Sequence, residues 1–178
     1  FGSDSLTAGP TSSQDFFVAK IDTFGYWRWV EGVDCHNNGR CVGTSIAVDS
    51  AGYAYVTGSF HRDIDVGTTT LTWAGVEDIF VAKIDTGGSW QWATMAGGAQ
   101  GYDVAQSIDI GPNGNAFIAG YFQFTSDFDN YSITANGGSD IFIAKISQQG
   151  DWVWVEVAGE SSTSAAYAIS VDSQGGVF

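Results

Sequence analysis

Asp78-Ile-Phe-Val-Ala-Lys83 is the stretch that decides the fold, because the chain contains nearly the same hexapeptide three times. The other copies are Asp15-Phe-Phe-Val-Ala-Lys20 and Asp140-Ile-Phe-Ile-Ala-Lys145, at spacings of 63 and 62 residues. A fixed period of this size is typical of repeat architectures, in which each copy forms one supersecondary unit. The 178-residue chain is therefore built from repeated units of about 62 residues.

Each unit predicts four short β-strands, which we call a to d in chain order. The apolar runs are short, are bounded by Gly, Asp and Asn, and show no sustained helical period. In the best-defined copy, the predicted strands span residues 45–49, 53–60, 78–84 and 89–94. The a–b and c–d connections are tight-turn sequences, so the four strands form one antiparallel sheet joined by hairpins.

Strands b and c are apolar on both faces, which predicts that each sheet is packed between neighbouring sheets. Four-stranded sheets repeated face to face around an axis form a β-propeller. The main competing architecture is a stacked β-solenoid, whose repeats are usually shorter. We therefore predict an all-β fold, a β-propeller built from about 62-residue four-stranded antiparallel blades.

The repeats divide the chain, residues 1–178, into parts of a single propeller segment. They predict a partial blade at 1–31, whole blades at 44–95 and 105–157, and a partial blade at 167–178. Propellers typically have 4 to 8 blades, so three repeats' worth cannot close a ring. We expect either a fragment of a larger propeller or one half of a dimer that shares six blades.

Composition narrows the choice of partners. Twenty acidic residues and six basic residues give a formal net charge of -14, which disfavours nucleic acid and anionic lipid. No run approaches the roughly 18 apolar residues of a membrane span, so we expect no membrane insertion. The expected partners are other protein subunits or further blades of the same chain, with glycans as a second class.

The repeated blocks resemble a known family. Asp78-Ile-Phe-Val-Ala-Lys-Ile-Asp85, the following Gly-x-Trp-x-Trp, and Ile46-Ala-Val-Asp-Ser-Ala-Gly-Tyr-Ala-Tyr-Val-Thr-Gly58 resemble the SBBP-type β-propeller repeat of secreted and surface proteins of bacteria and archaea. The resemblance implies an extracellular or cell-surface module without an assigned chemistry. The chain departs from the family in the loop containing Cys35 and Cys41, and in Ser147, which replaces the Asp found in the other two copies.

Cys35 and Cys41 lie in one short loop, which predicts a small disulfide ring in an oxidising compartment. Two free thiols remain the alternative. The two cysteines, His36 and His61 are also zinc-ligand types, but their spacing matches no standard finger.

The long b–c and d–a connections are predicted to lie together on one face of the propeller, which is therefore the candidate binding face. Trp73 is unrepeated, since its equivalents are Ala8 and Ala135, and it either stacks on a sugar ring or caps a hydrophobic edge. Carboxylates two residues apart offer hard oxygen ligands for calcium, or form solvated acidic loops. These carboxylates are Asp63, Asp65, Asp127 and Asp129.

The repeated lysine and tryptophan residues are interpreted as structural. We expect each lysine, near the Asp of its own hexapeptide, to make an ion pair or hydrogen bonds that hold blade to blade. Each Trp-x-Trp pair is expected to place both indoles on one face of strand d, where they serve packing. The residues are Lys20, Lys83, Lys145, Trp27, Trp29, Trp90, Trp92, Trp152 and Trp154.

The sequence assigns no catalytic residue. It contains no Gly-x-Ser-x-Gly elbow, no His-Glu-x-x-His and no phosphate-cradling loop. We therefore expect a non-enzymatic extracellular module that serves as scaffold, adhesion or protein-interaction unit of a larger surface protein and needs no cofactor, calcium excepted. A lectin-like propeller is the alternative, and a propeller hydrolase or lyase is a further one.

Overall fold

The computed structural model describes residues 14–178. The expectations for residues 1–13, which include most of the first b–c connection and Ala8, lie outside the described part. Every element of secondary structure in residues 14–178 is a β-strand. Within this range, no helix is available to cross a membrane.

The strands form the predicted blades. Blade 1 contains β1 (Phe16–Ile21) and β2 (Trp27–Cys35). Blade 2 is an antiparallel sheet of β3 (Arg40–Val48), β4 (Ala54–His61), β7 (Asp78–Ile84) and β8 (Trp90–Ala96) in that spatial order. Blade 3 repeats it with β9 (Val104–Ile110), β10 (Ala116–Phe122), β13 (Asp140–Ile146) and β14 (Trp152–Ala158). The all-β class and the four-stranded antiparallel blade are thus confirmed.

The chain after blade 3 begins a further a–b hairpin. Val171 and Val177 form an antiparallel bridge, and Ser170 and Phe178 exchange two backbone hydrogen bonds of 3.0 and 2.9 Å. This segment corresponds to the predicted partial blade at 167–178. The described blades stand side by side and do not close a ring.

The b–c connections were predicted as variable loops, and each of the two described in full contains a β-hairpin. The first is β5 (Ile64–Val66) with β6 (Thr69–Leu71), and the second is β11 (Thr125–Phe128) with β12 (Tyr131–Thr134). Each hairpin pairs with strand d of the preceding blade: β5 with the end of β2, and Asp127 with Gly97 just after β8. Every such connection therefore covers part of its neighbour's outer edge.

A glycine in strand b allows a bulge in strand a. The β3–β4 register shifts between Gly43 and Ser45, beside Gly58, and a Cβ on Gly58 would overlap the carbonyl oxygen of Val42. Gly120 of blade 3 meets the carbonyl of Val104 in the same way. The repeated glycine at this position is thus required by the close approach of two backbones.

The c–d turns are closed by one side chain each. Asp22 Oδ1 accepts hydrogen bonds from two backbone N–H groups of its turn, both at 2.9 Å, and Asp85 Oδ1 does the same at 2.8 and 2.9 Å. In blade 3, Ser147 Oγ accepts the equivalent bonds at 3.2 and 3.1 Å. The departure at Ser147 therefore preserves the turn.

Backbone hydrogen bonds tie each blade to the next at the ends of the strands where the b–c and d–a connections lie. We call this end the loop face and the opposite end, with the a–b and c–d turns, the turn face. The N–H groups of Cys41, Asp103 and Ser164 donate to the carbonyls of Gln14, Glu77 and Ser139, at 2.9, 2.9 and 2.8 Å.

The prediction that both indoles of a Trp-x-Trp pair share one face of strand d is wrong. A register shift separates the two residues, because Trp90 lies opposite Ile84 and Trp92 lies opposite Lys83, leaving one extra residue on β8. Trp90 packs toward blade 1, against Gly67, whereas Trp92 packs toward blade 3, against Gly150. The bulge thus sends one indole to each neighbouring blade.

The second indole of a pair links blades on the turn face. Trp29 Nε1 donates to the carbonyl of Thr86 at 3.0 Å, and Trp92 Nε1 donates to the carbonyl of Gln148 at 2.9 Å. Trp152, the first indole of its pair, bonds to the preceding blade instead. Its Nε1 donates to the carbonyl of Met95 at 3.2 Å.

The predicted pairing of each lysine with the Asp of its own hexapeptide is also wrong. Asp78 and Lys83 are the first and sixth residues of β7, which at about 3.3 Å per residue places them at opposite ends of the strand. Lys83 Nζ lies 3.9 Å from Asp49 instead, and Lys20 Nζ donates to the carbonyl of Thr86 at 3.2 Å. Lys145 Nζ lies 5.5 Å from the centre of the Phe117 ring.

Candidate functional site on the loop face

The predicted binding residues belong to two b–c connections, and the structure separates them. The two acidic motifs do not occupy equivalent positions in their hairpins. When the hairpins are aligned, Asp65 corresponds to Asp127. Asp63 corresponds to Thr125, and Asp129 corresponds to Gly67. Trp73 follows the first hairpin, with Asp63 and Asp65 on that hairpin or next to it. The predicted residues therefore belong to two different inter-blade locations.

Trp73 is half-buried and surrounded by its own blade. The guanidinium carbon of Arg62 lies 4.7 Å from the centre of the indole, and the His61 ring meets it edge to face at 5.1 Å. Trp73 also packs against the core between blades 1 and 2. This arrangement agrees with the alternative in which Trp73 caps a hydrophobic edge, since the cation occupies a ring face that a sugar would need.

Asp63 and Asp65 fix the first hairpin. Asp63 Oδ1 accepts the backbone N–H of Trp73 at 2.9 Å. Asp65 accepts Thr70 Oγ1 at 2.6 Å and lies 2.9 Å from His36 Nε2. The Thr70 hydroxyl, and after it His36, hold the pKa of Asp65 below its ordinary value. These carboxylates are thus engaged by the loop itself.

Asp127 and Asp129 line a cavity of about 550 Å³ between blades 2 and 3. Asp127 exchanges backbone hydrogen bonds of 3.1 and 3.0 Å with Gly97, and Asp129 Oδ2 accepts Asn130 Nδ2 at 2.6 Å. Asp151 adds a third carboxylate to the lining, and Trp152 lies beside it. Oxygen ligands are therefore present here, but in an open, water-accessible arrangement.

Cys35 and Cys41 form the predicted disulfide, with Cα atoms 6.1 Å apart. Asp15 lies beside them, and its Oδ1 accepts the N–H of Cys35 at 3.3 Å. The two sulfurs are bonded to each other, so they do not form the zinc site considered from sequence. His36 instead contacts Asp65, and His61 contacts Trp73.

A pair of buried carboxyl groups between blades 2 and 3 was missed by sequence reasoning. Asp78 and Asp103 are both fully buried. Asp78 Oδ2 accepts the N–H of Ala74 at 2.6 Å, while Asp103 accepts the N–H groups of Gly98 and Gln123 at 2.8 and 3.3 Å. The two side chains therefore anchor three connections of the loop face.

Burial is the main cause of unusual titration in this pair. It raises the pKa of Asp78 to about 6, against the lowering effect of the N–H groups it accepts. Burial raises the pKa of Asp103 to about 7, and the negative charge of Asp78 adds to the rise. Groups with such values are candidates for acid–base chemistry when substrate can reach them. Here both are enclosed by the connections they anchor.

The surface above this pair carries an exposed aromatic patch. Tyr102, Phe124 and Tyr167 are 48%, 56% and 75% exposed. Tyr102 and Phe124 are adjacent, because the Tyr102 N–H donates to Gln123 Oε1 at 3.2 Å and Gly101 packs closely against the Phe124 ring. We call these three residues and Tyr121 the tyrosine patch.

Tyr121 joins the patch to a charged pair. Burial raises its pKa, and the neighbouring Glu77, Tyr167 and Tyr102 raise it further. Glu77 Oε1 in turn accepts Arg40 Nη1 at 2.8 Å and Ser59 Oγ at 2.6 Å. The patch thus spans the ends of blades 2 and 3 and the segment after blade 3. The available sequence signal was that none of its aromatic residues recurs at the repeat spacing.

The fold and the loop face together define a β-propeller whose blades are joined face to face. The β-propeller repeat family model, SBBP, matches residues 37–59, which cover strand a, the a–b turn and most of strand b of blade 2. Residues 37–59 therefore match the SBBP β-propeller repeat, as the sequence resemblance predicted.

One curated relative extends this likeness along the chain. An uncharacterized WD repeat-containing protein of Acanthamoeba polyphaga mimivirus is 28% identical over 166 residues. The match covers 82% of this chain and 12% of the relative, so the chain spans a small part of that protein's length. Both likenesses agree with a β-propeller built from repeated blades.

Proposed function

We propose that the chain is a non-enzymatic β-propeller module that binds a protein partner through its loop face and serves outside the cell as a scaffold or adhesion unit. The tyrosine patch carries this proposal. It offers exposed aromatic side chains on a rigid base, next to Arg40, which is 2.8 Å from Glu77. Tyrosine and arginine are among the residues that most often dominate binding energy at protein interfaces.

Charge favours a particular kind of partner surface. The chain has a net charge of -14, and Asp127 lines a cavity together with Phe124 of the patch. A basic or neutral protein surface is therefore favoured over an acidic one, because complementary charge speeds encounter and excludes like-charged partners. Nucleic acid is excluded by the same sign of charge.

The disulfide supports an extracellular location. Cys35 and Cys41 are both fully buried against the core between blades 1 and 2. Disulfides persist in oxidising compartments and are rare in a reducing cytosol. Immunodetection of the protein in secreted, surface and intracellular fractions of its source cells tests the location, and a purely intracellular signal contradicts it.

A binding role is better supported than catalysis or sugar binding at Trp73. The carboxyl groups with raised pKa, Asp78 and Asp103, are enclosed and give a substrate no access. Trp73, the predicted sugar platform, has Arg62 over its ring at 4.7 Å. Neither feature supplies the accessible chemistry that a hydrolase or a stacking lectin site requires.

Site-specific photo-crosslinking tests the loop face directly. p-Benzoylphenylalanine is placed at Phe124 in the patch and, as a matched control, at Phe24, which is 83% exposed on the turn face. After irradiation in the extracellular fraction, we expect specific protein adducts from position 124 and none from position 24. Equal adducts from both positions, or none from position 124, would refute the proposed binding face.

We further propose that the module needs no cofactor. Its loop-face carboxylates already accept hydrogen bonds from the protein, as Asp63 and Asp65 do from Trp73 and Thr70. Excess EDTA is therefore expected to leave the melting temperature unchanged. A calcium-dependent rise in the melting temperature that is lost in Asp127→Asn would contradict this and assign calcium to the cavity next to Asp129.

A further inference from the structure

The ammonium group of Lys83 is enclosed on the turn face, far from the tyrosine patch. The Lys83 side chain is 10% exposed, and its Nζ lies 4.6 Å from the ring centres of both Tyr53 and Tyr55. Its nearest carboxylate oxygen, Asp49 Oδ2, is 3.9 Å away. At that distance the carboxylate of Asp49 offsets the charge of Lys83, but the two atoms are too far apart for a hydrogen bond.

The three N–H donors of Lys83 therefore have no acceptor within hydrogen-bond distance among residues 14–178. Burial lowers the pKa of Lys83, and Asp49 acts in the opposite direction. A largely buried ammonium group without a protein acceptor is costly to keep. A ligand oxygen that accepts from Nζ would remove that cost.

A cavity of about 370 Å³ opens onto Lys83 between blades 2 and 3. We call it the Lys83 pocket. Its volume lies at the lower end of the range, roughly 300 to 1,000 Å³, that is common for small-molecule sites. The remaining lining combines two aromatic rings with three side-chain amides. It consists of Tyr53, Trp92, Gln91, Gln148 and Gln149.

The aromatic wall is held in a fixed orientation. Trp92 lies directly opposite Lys83 across the β7–β8 pair, and its indole N–H is held by the Gln148 carbonyl at 2.9 Å. Tyr55 meets the Trp92 ring edge to face at 5.8 Å. The wall is thus pre-organised, which lowers the entropic cost of binding a small ligand.

The repeat itself shows that the fold does not require this arrangement. Lysine recurs in every copy and Asp49 recurs as Asp172, but the two tyrosines near Lys83 do not recur. At the repeat spacing of 62, blade 3 replaces Asp49 with Gly111, Tyr53 with Asn115 and Tyr55 with Phe117, and its own Lys145 only approaches a phenylalanine ring, at 5.5 Å. Asp49 closes the a–b turn by accepting the N–H groups of Ala51 and Tyr53, both at 3.0 Å. Blade 3 forms the same sheet without a tyrosine at position 115, so the fold does not require the phenol of Tyr53.

We propose that the Lys83 pocket binds a neutral polyhydroxylated ligand, a sugar ring in particular. A hydroxyl group can accept from Lys83 and donate to a side-chain amide oxygen of the lining, such as that of Gln149. An anion is disfavoured, because Asp49 and a chain charge of -14 repel it. The Trp92 ring provides the apolar surface for the C–H face of the sugar, and the site is independent of the loop face.

Ligand-observed saturation-transfer NMR on the intact protein tests the pocket with methyl glycosides of glucose, galactose and mannose, and with the matching uronic acids. Lys83→Met removes the ammonium group and keeps the aliphatic stem. Tyr53→Asn introduces the residue of blade 3 and serves as the second pocket variant. Lys145→Met is the matched control, and circular dichroism confirms that each variant is folded.

We expect at least one neutral glycoside to bind, and to bind about tenfold more weakly to Lys83→Met and to Tyr53→Asn, as the loss of a charged hydrogen bond implies. Lys145→Met should change the affinity by less than about twofold. The proposal is overturned if no neutral glycoside gives a signal, if only uronic acids bind, or if folded Lys83→Met and Lys145→Met bind alike.

Discussion

Raising the pH from 5 to 8 is expected to weaken the fold, because two buried carboxyl groups must then ionise. Burial raises the pKa of Asp103 from 3.8 to about 7 and that of Asp78 from 3.8 to about 6. The folded state therefore holds protons that the unfolded chain has already released. Their stabilising effect is complete below about pH 4 and is lost as the pH rises through about 6 and 7.

The size of the effect follows from linkage. Integrating the proton uptake of the folded state between pH 5 and pH 8 gives a loss of about 3 kcal/mol from Asp103 and about 1 kcal/mol from Asp78. Glu77 adjoins Asp78, and its negative charge acts in the same direction. Carboxyl groups with lowered pKa, such as Asp65, affect stability only at more acidic pH.

Urea denaturation at pH 5 and pH 8, at constant ionic strength, measures this difference in the free energy of unfolding. Asp103→Asn is the matched variant, since an amide oxygen can still accept the N–H of Gly98, which lies 2.8 Å from Oδ2. In that variant the loss should shrink by about 3 kcal/mol. An equal pH dependence in both proteins, or a wild-type protein that is more stable at pH 8, would refute the reasoning.

Three further predictions concern the packing of the blades. Gly58→Ala should lower the free energy of unfolding, measured by urea denaturation, by about 2–4 kcal/mol, because its Cβ would overlap the Val42 carbonyl. Gly87→Ala is the control and should change that free energy little, because the atom nearest to its Cβ would be 3.4 Å away. Trp92→Phe should cost about 1 kcal/mol by the same measurement, through the lost bond to the Gln148 carbonyl; an unchanged value would remove that bond as an inter-blade link. Replacing Cys35 and Cys41 together by alanine should lower the free energy of unfolding by about 2 kcal/mol, since the bridge closes a short loop with a sequence separation of 6. Thermal melting at equal protein concentration measures this, and an unchanged melting temperature would contradict it.

The blade could be predicted from sequence because it is repeated. The three hexapeptides place strand c in register, and the predicted strand at 78–84 coincides with β7. The turn residues Asp22 and Asp85 also act as predicted, because an Asp side chain closes such turns locally. The sequence therefore predicts those features that recur in each repeat and depend only on residues close together in the chain.

Features that depend on register were not accessible from the sequence. The extra residue on β8 changes the side to which Trp90 and Trp92 point, and no residue type marks that bulge. The hairpin β5–β6 has strands of only three residues each, so the alternation in Ile64-Asp65-Val66 is too short to indicate a strand. The Asp78–Lys83 pairing, in contrast, is excluded by the predicted strand itself, since five residues of extended chain separate the two by about 16 Å.

The candidate site shows the same division. The sequence indicated that the long connections share a face, but Tyr102, Phe124 and Tyr167 come from three different connections. Their proximity arises from hydrogen bonds such as that between Tyr102 and Gln123. Asp78 and Asp103 converge for the same reason, across a blade boundary that no spacing rule describes.

The hairpins that reach back to the preceding blade have a consequence for how such a chain can grow. An exposed strand edge invites pairing with other molecules, and here β5 pairs with β2 while Asp127 pairs with Gly97 after β8. Each blade thus receives protection from the sequence of the next one. A blade together with the hairpin that covers its edge is therefore offset from the sequence repeat. A duplication of one repeat during evolution would supply both a new blade and the hairpin that covers the edge of the preceding blade.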